Sequence, residues 1–377
     1  MEFCASSIGE GRKRVAYTYI ENWSQLPEDL IGDIANRLLG HEISDFVRFG
    51  AVCRSWRFVT TQKHYFSGVR QLPWLMIPEE NDESGDNGDI RSFVSLSTKR
   101  VYNVELPEAR GRRCWGSQFG WLITVGIDSD FRLLNPLTHV EISLPKLDSF
   151  QDHFPFRNSK AILSSDPETN SECIVMLVIT FTTESQPFSQ LAITRVGDTS
   201  WMKLRSSLGG YSDVIFFNGR FYAALCKGGI ILVVDVNNTN VSLKYLTSIT
   251  DEESYNERFY FVEMGQELHV VWNSDRLISD GCGRSHLDDY FEVHKINVET
   301  REWVELSSFD DYALVVSASS SLSLSTLDYP GLKGNCIYFK DEDQRGCSDR
   351  NSRCMGIFDY EGRGILNANW LSLGVKT

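Results

Sequence analysis

Between residues 30 and 39 the apolar positions recur with the 3.6-residue period of a helix: Leu30, Ile31, Ile34, Ala35, Leu38 and Leu39. At about 100° per residue these six positions cover roughly half the circumference, wider than the ~100° stripe of a helix that serves one core. Pro27 suits the first turn, where a missing N–H costs nothing, and Glu28 and Asp29 follow at the positive end of the dipole. Gly40 suits the stop. Ser44 reads as the cap of a second helix with Phe46, Phe49 and Val52 on one side, and Cys53 to Thr61 as a third carrying Trp56 and Val59. Three helices in ~40 residues enclose too little core to stand alone, so their surplus apolar surface must be covered by something.

From residue 70 the period changes from 3.6 to 2. Runs rich in Val, Ile, Phe and Tyr alternate with turn residues, among them Ile174–Phe181, Ile230–Val236, Leu268–Trp272, Tyr312–Val316 and Cys336–Phe339. Phe217-Asn-Gly-Arg-Phe221 predicts a two-residue hairpin, because Asn and Gly tolerate the positive φ of a type I′ turn. Asn135-Pro and Asp166-Pro mark further turns. A degenerate repeat places an apolar residue six positions after a Thr: Thr138 to Leu144, Thr239 to Tyr245 and Thr300 to Leu306, with Asp198 to Leu204 a looser copy. Strand-rich repeats of this kind predict radial blades, and about 300 residues at ~45 per blade gives six or seven. The expected fold is therefore α+β and multidomain, a small three-helix unit followed by an all-β propeller. A pair of β-sandwiches is the alternative.

Charge separates the same two parts. The chain of 377 residues carries a net −14; residues 1–70 hold 9 Lys/Arg and 8 Asp/Glu, and residues 71–377 hold 28 and 43. The acidic balance belongs to the strand-rich part, which would repel a phosphate backbone, so nucleic acid is not an expected partner. The longest apolar runs, residues 174–179 and 230–234, fall far short of the ~20 residues of a membrane span, and no membrane is expected. Nine Cys at irregular spacing suggest free thiols in a reducing compartment, cytoplasm or nucleus.

The helical stretch resembles a known family at this point. LPEDLIGDIANRL, a polar spacer and DFVRFGAVCRSWRFV are similar to the F-box in the Leu-Pro pair, the acidic pair after it, the Ile/Leu ladder and the Val-Cys-Arg-Ser-Trp run. The likeness covers about residues 23–64. In that family the unit docks on a Skp-type adaptor seated on the cullin scaffold of a ubiquitin ligase. The resemblance implies that Trp23, Leu26, Pro27, Leu30, Ile34, Val52, Cys53 and Trp56 make or support the adaptor contact.

The remainder resembles the KIB-type propeller that follows many plant F-boxes. LPWLMIP (72–78), Gly120-Trp-Leu, Asn135-Pro-Leu-Thr with Ile-Ser-Leu-Pro145, Trp201 and Asn335-Cys-Ile-Tyr-Phe follow its order over nearly all of 70–377. The succession departs from the family at Ser317–Asp328, a Ser/Leu-rich stretch in place of a short glycine-containing turn. The implied organisation is a disordered tail (1–22), an F-box (23–64) and a propeller (70–377).

Catalytic patterns are missing from the sequence: no nucleophile elbow, phosphate loop or dinucleotide fingerprint occurs, and no cofactor or metal is expected. Cys282 with His286 and His294 lacks a paired Cys-x-x-Cys, and Gly281-Cys-Gly283 reads better as a turn. Cys347 and Cys354 read as part of a polar loop. Glu79–Asp89 fails the calcium-loop register, with Asn87 and Phe93 where Gly and Glu belong, and reads as an acidic loop. Trp121, Trp201, Trp303 and Trp370 sit beside strand residues and are expected to pack blades. Taken with the two resemblances, the expected role is a non-enzymatic substrate-recognition subunit of a Skp-cullin-F-box ubiquitin ligase, with an unknown target protein held by the propeller. The alternative is an F-box-like interaction protein working outside any ligase.

Overall fold

The computed structural model describes residues 23–41, 43–60, 74–76, 89–95, 101–147, 159–181, 188–207, 210–236, 241–250, 257–279, 285–329, 332–340 and 355–366. The tail 1–22, the acidic residues 79–88, the first two residues of the Thr239 repeat, Cys282, Cys347, Cys354 and Trp370 lie outside the described residues. The chain divides into two compact units, Met1–Leu72 and Pro73–Thr377.

The first unit holds three helices, α1 (Glu28–His41), α2 (Ile43–Gly50) and α3 (Arg54–Thr60). Two boundaries differ from expectation. Gly40 lies inside α1 rather than beyond it, and Ser44 lies inside α2, which starts at Ile43. Only residue 42 separates the two helices, so there is no room for a separate stop and cap.

The second unit is an all-β propeller. A three-stranded sheet (Trp74–Met76, Ile90–Ser95, Val101–Glu105) precedes five fuller sheets. We number these blades 1 to 5; they occupy residues 113–143, 160–204, 211–248, 258–305 and 312–366. Blades 1 to 4 are four-stranded antiparallel meanders. Five complete blades among the described residues is fewer than the six or seven predicted. The prediction assumed uniform spacing, whereas blade 1 is far shorter than blade 5, which has five strands. The Ser/Leu-rich stretch supplies the fifth strand: Ser321–Ser325 pairs back on Tyr312–Val316, and Cys336–Lys340 then pairs parallel to Tyr312–Val316.

Cores between successive sheets distinguish this from two sandwiches. Phe93 and Leu106 pack with Leu122 and Leu134 between the three-stranded sheet and blade 1. Trp115 and Phe131 pack with Val175 and Ala192 between blades 1 and 2. Met176 and Leu191 meet Val214 and Leu232 between blades 2 and 3, and Tyr222 and Ile231 meet Phe261 and Val270 between blades 3 and 4. Phe291 and Val293 meet Leu314 and Phe339 between blades 4 and 5. Each sheet thus covers one face of the next, as radial packing requires.

Local turn chemistry sets the register. Asn218 and Gly219 both have positive φ, 45° and 76°, and Phe217 pairs with Arg220, the type I′ hairpin the Asn-Gly pair predicts. The repeat is also structural. Asn135 Oδ1 accepts from the amides of Leu137 (3.0 Å) and Thr138 (3.2 Å), and Asn297 Oδ1 accepts from those of Glu299 and Thr300 (both 3.0 Å). His139 and Arg301 then take positive φ, and the amides of Leu144 and Leu306 return to the carbonyls of Phe131 and Val293.

Side chains lock blades to one another. Trp121 Nε1 donates to Asp166 Oδ1 (3.1 Å) and Trp201 Nε1 to the Pro145 carbonyl (2.7 Å), both from buried rings. Trp303 departs from its expected role; its ring is 40% exposed on an outer strand. The buried Tyr360 hydroxyl donates to the Leu306 carbonyl (2.9 Å) and accepts from the Val293 amide (3.0 Å), tying blade 5 to blade 4. Tyr360→Phe strands that amide without an acceptor, and is expected to cost about 1–3 kcal/mol in urea unfolding. An unchanged unfolding midpoint would mean that this link contributes nothing.

Candidate functional site

The helical unit encloses a small core and leaves apolar side chains outside it. Ile31 and Ala35 of α1, Phe46 and Phe49 of α2, and Val59 of α3 are buried. Five of the six apolar positions of α1 have described side chains, and these are divided: Ile31 and Ala35 face inward, Ile34 and Leu38 are half-buried, and Leu30 is 47% exposed. Helix amphipathicity alone does not make this division, because all six fall within one broad arc.

Backbone carbonyls fix the entry to α1. The Pro27 carbonyl accepts from the amides of Leu30 and Ile31 (both 3.1 Å), so Pro27 stands at the cap and its ring is exposed. A short 3₁₀ turn, Trp23–Gln25, precedes it, closed by the Leu26 amide on the Trp23 carbonyl (3.3 Å). This turn is pinned to α3 from two sides. Trp56 Nε1 donates to the Trp23 carbonyl (3.2 Å) and Ser55 Oγ to the Ser24 carbonyl (2.9 Å). Trp56 in turn stacks on Phe49, with ring centroids 4.1 Å apart. Gly50, at the close of α2, is buried where an added Cβ would lie 2.5 Å from Thr60 Oγ1, so a side chain there would push α3 away.

None of the eight predicted residues is buried. Trp23, Pro27, Leu30 and Val52 are exposed, Trp23 at 70% and Val52 at 62%; Leu26, Ile34, Cys53 and Trp56 are half-buried. The hydrogen bonds bring Trp23 and Trp56 together, and Cys53 lies at the start of α3 with its Sγ 3.1 Å from Ser55 Oγ. The Ser55 hydroxyl, followed by the Trp56 amide, holds the Cys53 thiol below its usual range. Leu30 and Ile34 stand one turn apart on α1. Sequence reasoning missed Phe58, exposed at 56% on α3. Its signal was its position beside Val59: adjacent helical positions cannot share a face, and Val59 takes the core. The exposed surfaces differ in charge: α1 carries Glu28, Asp29 and Asp33 against Arg37, and α3 carries Arg54 and Arg57.

The propeller unit shows no metal constellation among the described residues: no three His, Cys, Asp or Glu gather. His294 is buried against the Trp303 ring at 5.0 Å.

Residues 93–359 match the family model described as the KIB1-4 beta-propeller. Among relatives, an F-box/kelch-repeat protein of Arabidopsis thaliana is 26% identical over 93% of this chain and 91% of its own length. The F-box protein SKIP23 of Arabidopsis thaliana is 24% identical over 90% and 89%. Among solved structures, an oligogalacturonate lyase in complex with manganese aligns at 10% identity over 74% of this chain and 69% of its own, with a TM-score of 0.37, too distant to bear on chemistry.

Proposed function

The chain belongs to the KIB1-4 β-propeller family, and from that premise we propose that it is the substrate-recognition subunit of a Skp-cullin-F-box ubiquitin ligase. The observation that carries the reading is the exposed apolar set on the helical unit, Trp23, Pro27, Leu30 and Val52, beside a core that is complete without them. Such a set is an interaction surface in waiting. The full-length likeness to proteins named F-box proteins supports a Skp-type adaptor as its occupant, with Leu26, Ile34, Cys53 and Trp56 supporting the contact.

In this reading the three-stranded sheet counts as a sixth blade, and the propeller holds the target protein. The subunit makes and breaks no bonds. Gripping adaptor and target at once raises the effective concentration of a target lysine near the ubiquitin-charged enzyme, so the rate gain is positional. The cytoplasm and nucleus, where thiols stay reduced, are the compartments that suit it.

Reconstitution tests this. The full chain, a purified Skp-type adaptor and a cullin are expected to co-elute as one ternary complex in size-exclusion chromatography. An adaptor complex that forms and never joins the cullin would instead support an F-box-like protein acting outside a ligase.

A further inference from the structure

The topology separates the propeller's loops into two ends. The first strands of blades 2, 3 and 4 lie side by side: Lys160 Nζ meets Asp213 Oδ1 at 2.6 Å, Ser212 Oγ accepts from the Phe259 amide at 2.9 Å, and Asp213 Oδ2 accepts from the Phe261 amide at 2.7 Å. The contacts advance together along blades 3 and 4, so these strands run the same way. In meanders so aligned, the turns after first and third strands fall on one end. The turns after second strands, and the connectors between blades, fall on the other.

The two ends are built differently. On the first end, Asn218-Gly219 and Gly265-Gln266 close in two residues, and Asn135 and Asn297 close their turns with their own side chains. The second end carries the turn 126–130, the connector 306–311 and the loop residues 326–329 and 332–335. The last two are joined there by the Thr326 amide on the Asp311 carbonyl (2.7 Å) and the Asn335 amide on the Tyr312 carbonyl (2.7 Å). Ile127 and Leu327 stand on this end at 80% and 79% exposure, the highest values among the described large apolar residues.

A hairpin also rises from the second end. Glu267–Ser279 and Ser285–Asn297 pair continuously out to Ser279 with Ser285. Their neighbours stop earlier: Arg258–Met264 reaches only Asn273, and Glu302–Glu305 only His294. Six residue pairs, from Ser274 with Tyr290 to Ser279 with Ser285, therefore continue past both neighbours, a reach of roughly 20 Å.

We propose that this second end is the target-binding end, and that it takes a protein surface of apolar side chains flanked by lysine or arginine. The apolar tips are flanked by carboxylates: Asp128 follows Ile127, Asp328 follows Leu327, and Asp310 and Asp311 stand beside the Leu327 loop, all four exposed. The cation of the Leu327 loop, Lys333, is paired with Asp359 (2.9 Å); Lys146 and Arg205 belong to connectors between blades, and Lys227 to the turn before Ile230. Exposed apolar atoms flanked by carboxylates in excess of free cations select a partner of opposite charge and disfavour nucleic acid. The standing hairpin projects from the same end.

The assignment rests on the receptor reading, and its test keeps the two apart. The probe is a set of immobilised synthetic peptides that interleave Leu or Ile with Lys or Arg, matched by a set with Asp or Glu in place of the cations. The full chain is expected to be retained by the basic set and not by the acidic one. Ile127→Asp with Leu327→Asp should weaken retention roughly tenfold or more, while Leu137→Asp with Val140→Asp on the opposite end leaves it unchanged. Equal retention by both sets, or loss through the opposite-end pair alone, would overturn the assignment. Adaptor co-purification, measured on the same samples, reports independently on the receptor reading. Thermal melting confirms that each variant is folded.

Discussion

Lys160→Met is expected to destabilise the propeller by about 3–5 kcal/mol at neutral pH, the usual consequence of stranding one member of a buried ion pair. Lys160 and Asp213 are both buried, their charged atoms 2.6 Å apart. The Asp213 carboxylate also accepts from the amides of Val214 (2.8 Å) and Phe261 (2.7 Å), so one side chain joins blades 2, 3 and 4. Burial pushes the Asp213 carboxyl above its ordinary value of 3.8, with the Lys160 charge opposing. A carboxyl raised in the folded state binds more protons folded than unfolded. Its favourable contribution is present at low pH and fades as pH climbs through the folded value. Removing Lys160 lifts that value further. The deficit of Lys160→Met, relative to the parent, should therefore be largest near neutrality and shrink as pH falls towards 3.8. Adding Asp213→Asn should restore part of the loss. Urea unfolding across pH measures all three; a deficit that does not depend on pH would mean that lost packing, not the stranded charge, is responsible.

Leu26→Asp together with Leu30→Asp should weaken the adaptor complex by about 3 kcal/mol or more, roughly a hundredfold, since each carboxylate would have to be desolvated at the contact without a partner. The fold should tolerate the change. Leu30 is 47% exposed and Leu26 half-buried, whereas the core residues Ile31, Ala35 and Val59 are untouched. Binding measured by surface plasmon resonance, with circular dichroism as the folding control, decides the matter. Unchanged affinity would place the contact elsewhere on the helices.

Much of this architecture is written locally. The strands Ile174–Phe181, Ile230–Val236 and Tyr312–Val316 have the bounds their apolar runs predict, because both faces of an interior blade are covered and the run ends where burial ends. The Asn-Gly turn and the Asn-closed turns at 135 and 297 are equally legible, since one side chain determines each. What sequence leaves hidden depends on neighbours. Leu268–Trp272 reads as one short strand because Asn273, Ser274, Asp275 and Arg276 break the apolar alternation, yet the strand continues to Ser279. The parallel pairing of Tyr312–Val316 with Cys336–Lys340 is an ordering of strands, which periodicity does not encode. The Lys160–Asp213 pair joins distant residues and leaves no local trace. At the candidate site the resemblance named the residues, and only the packing of α1 told Leu30 from Ile31.

Isothermal titration of the intact chain with a purified Skp-type adaptor bears most directly on the idea that the outward apolar side chains of the helical unit await a second subunit. The predicted result is one-to-one association at submicromolar affinity with a negative heat-capacity change, the mark of apolar surface leaving water. Absence of binding at adaptor concentrations of about 100 μM, weaker than about 5.5 kcal/mol of association, would contradict it.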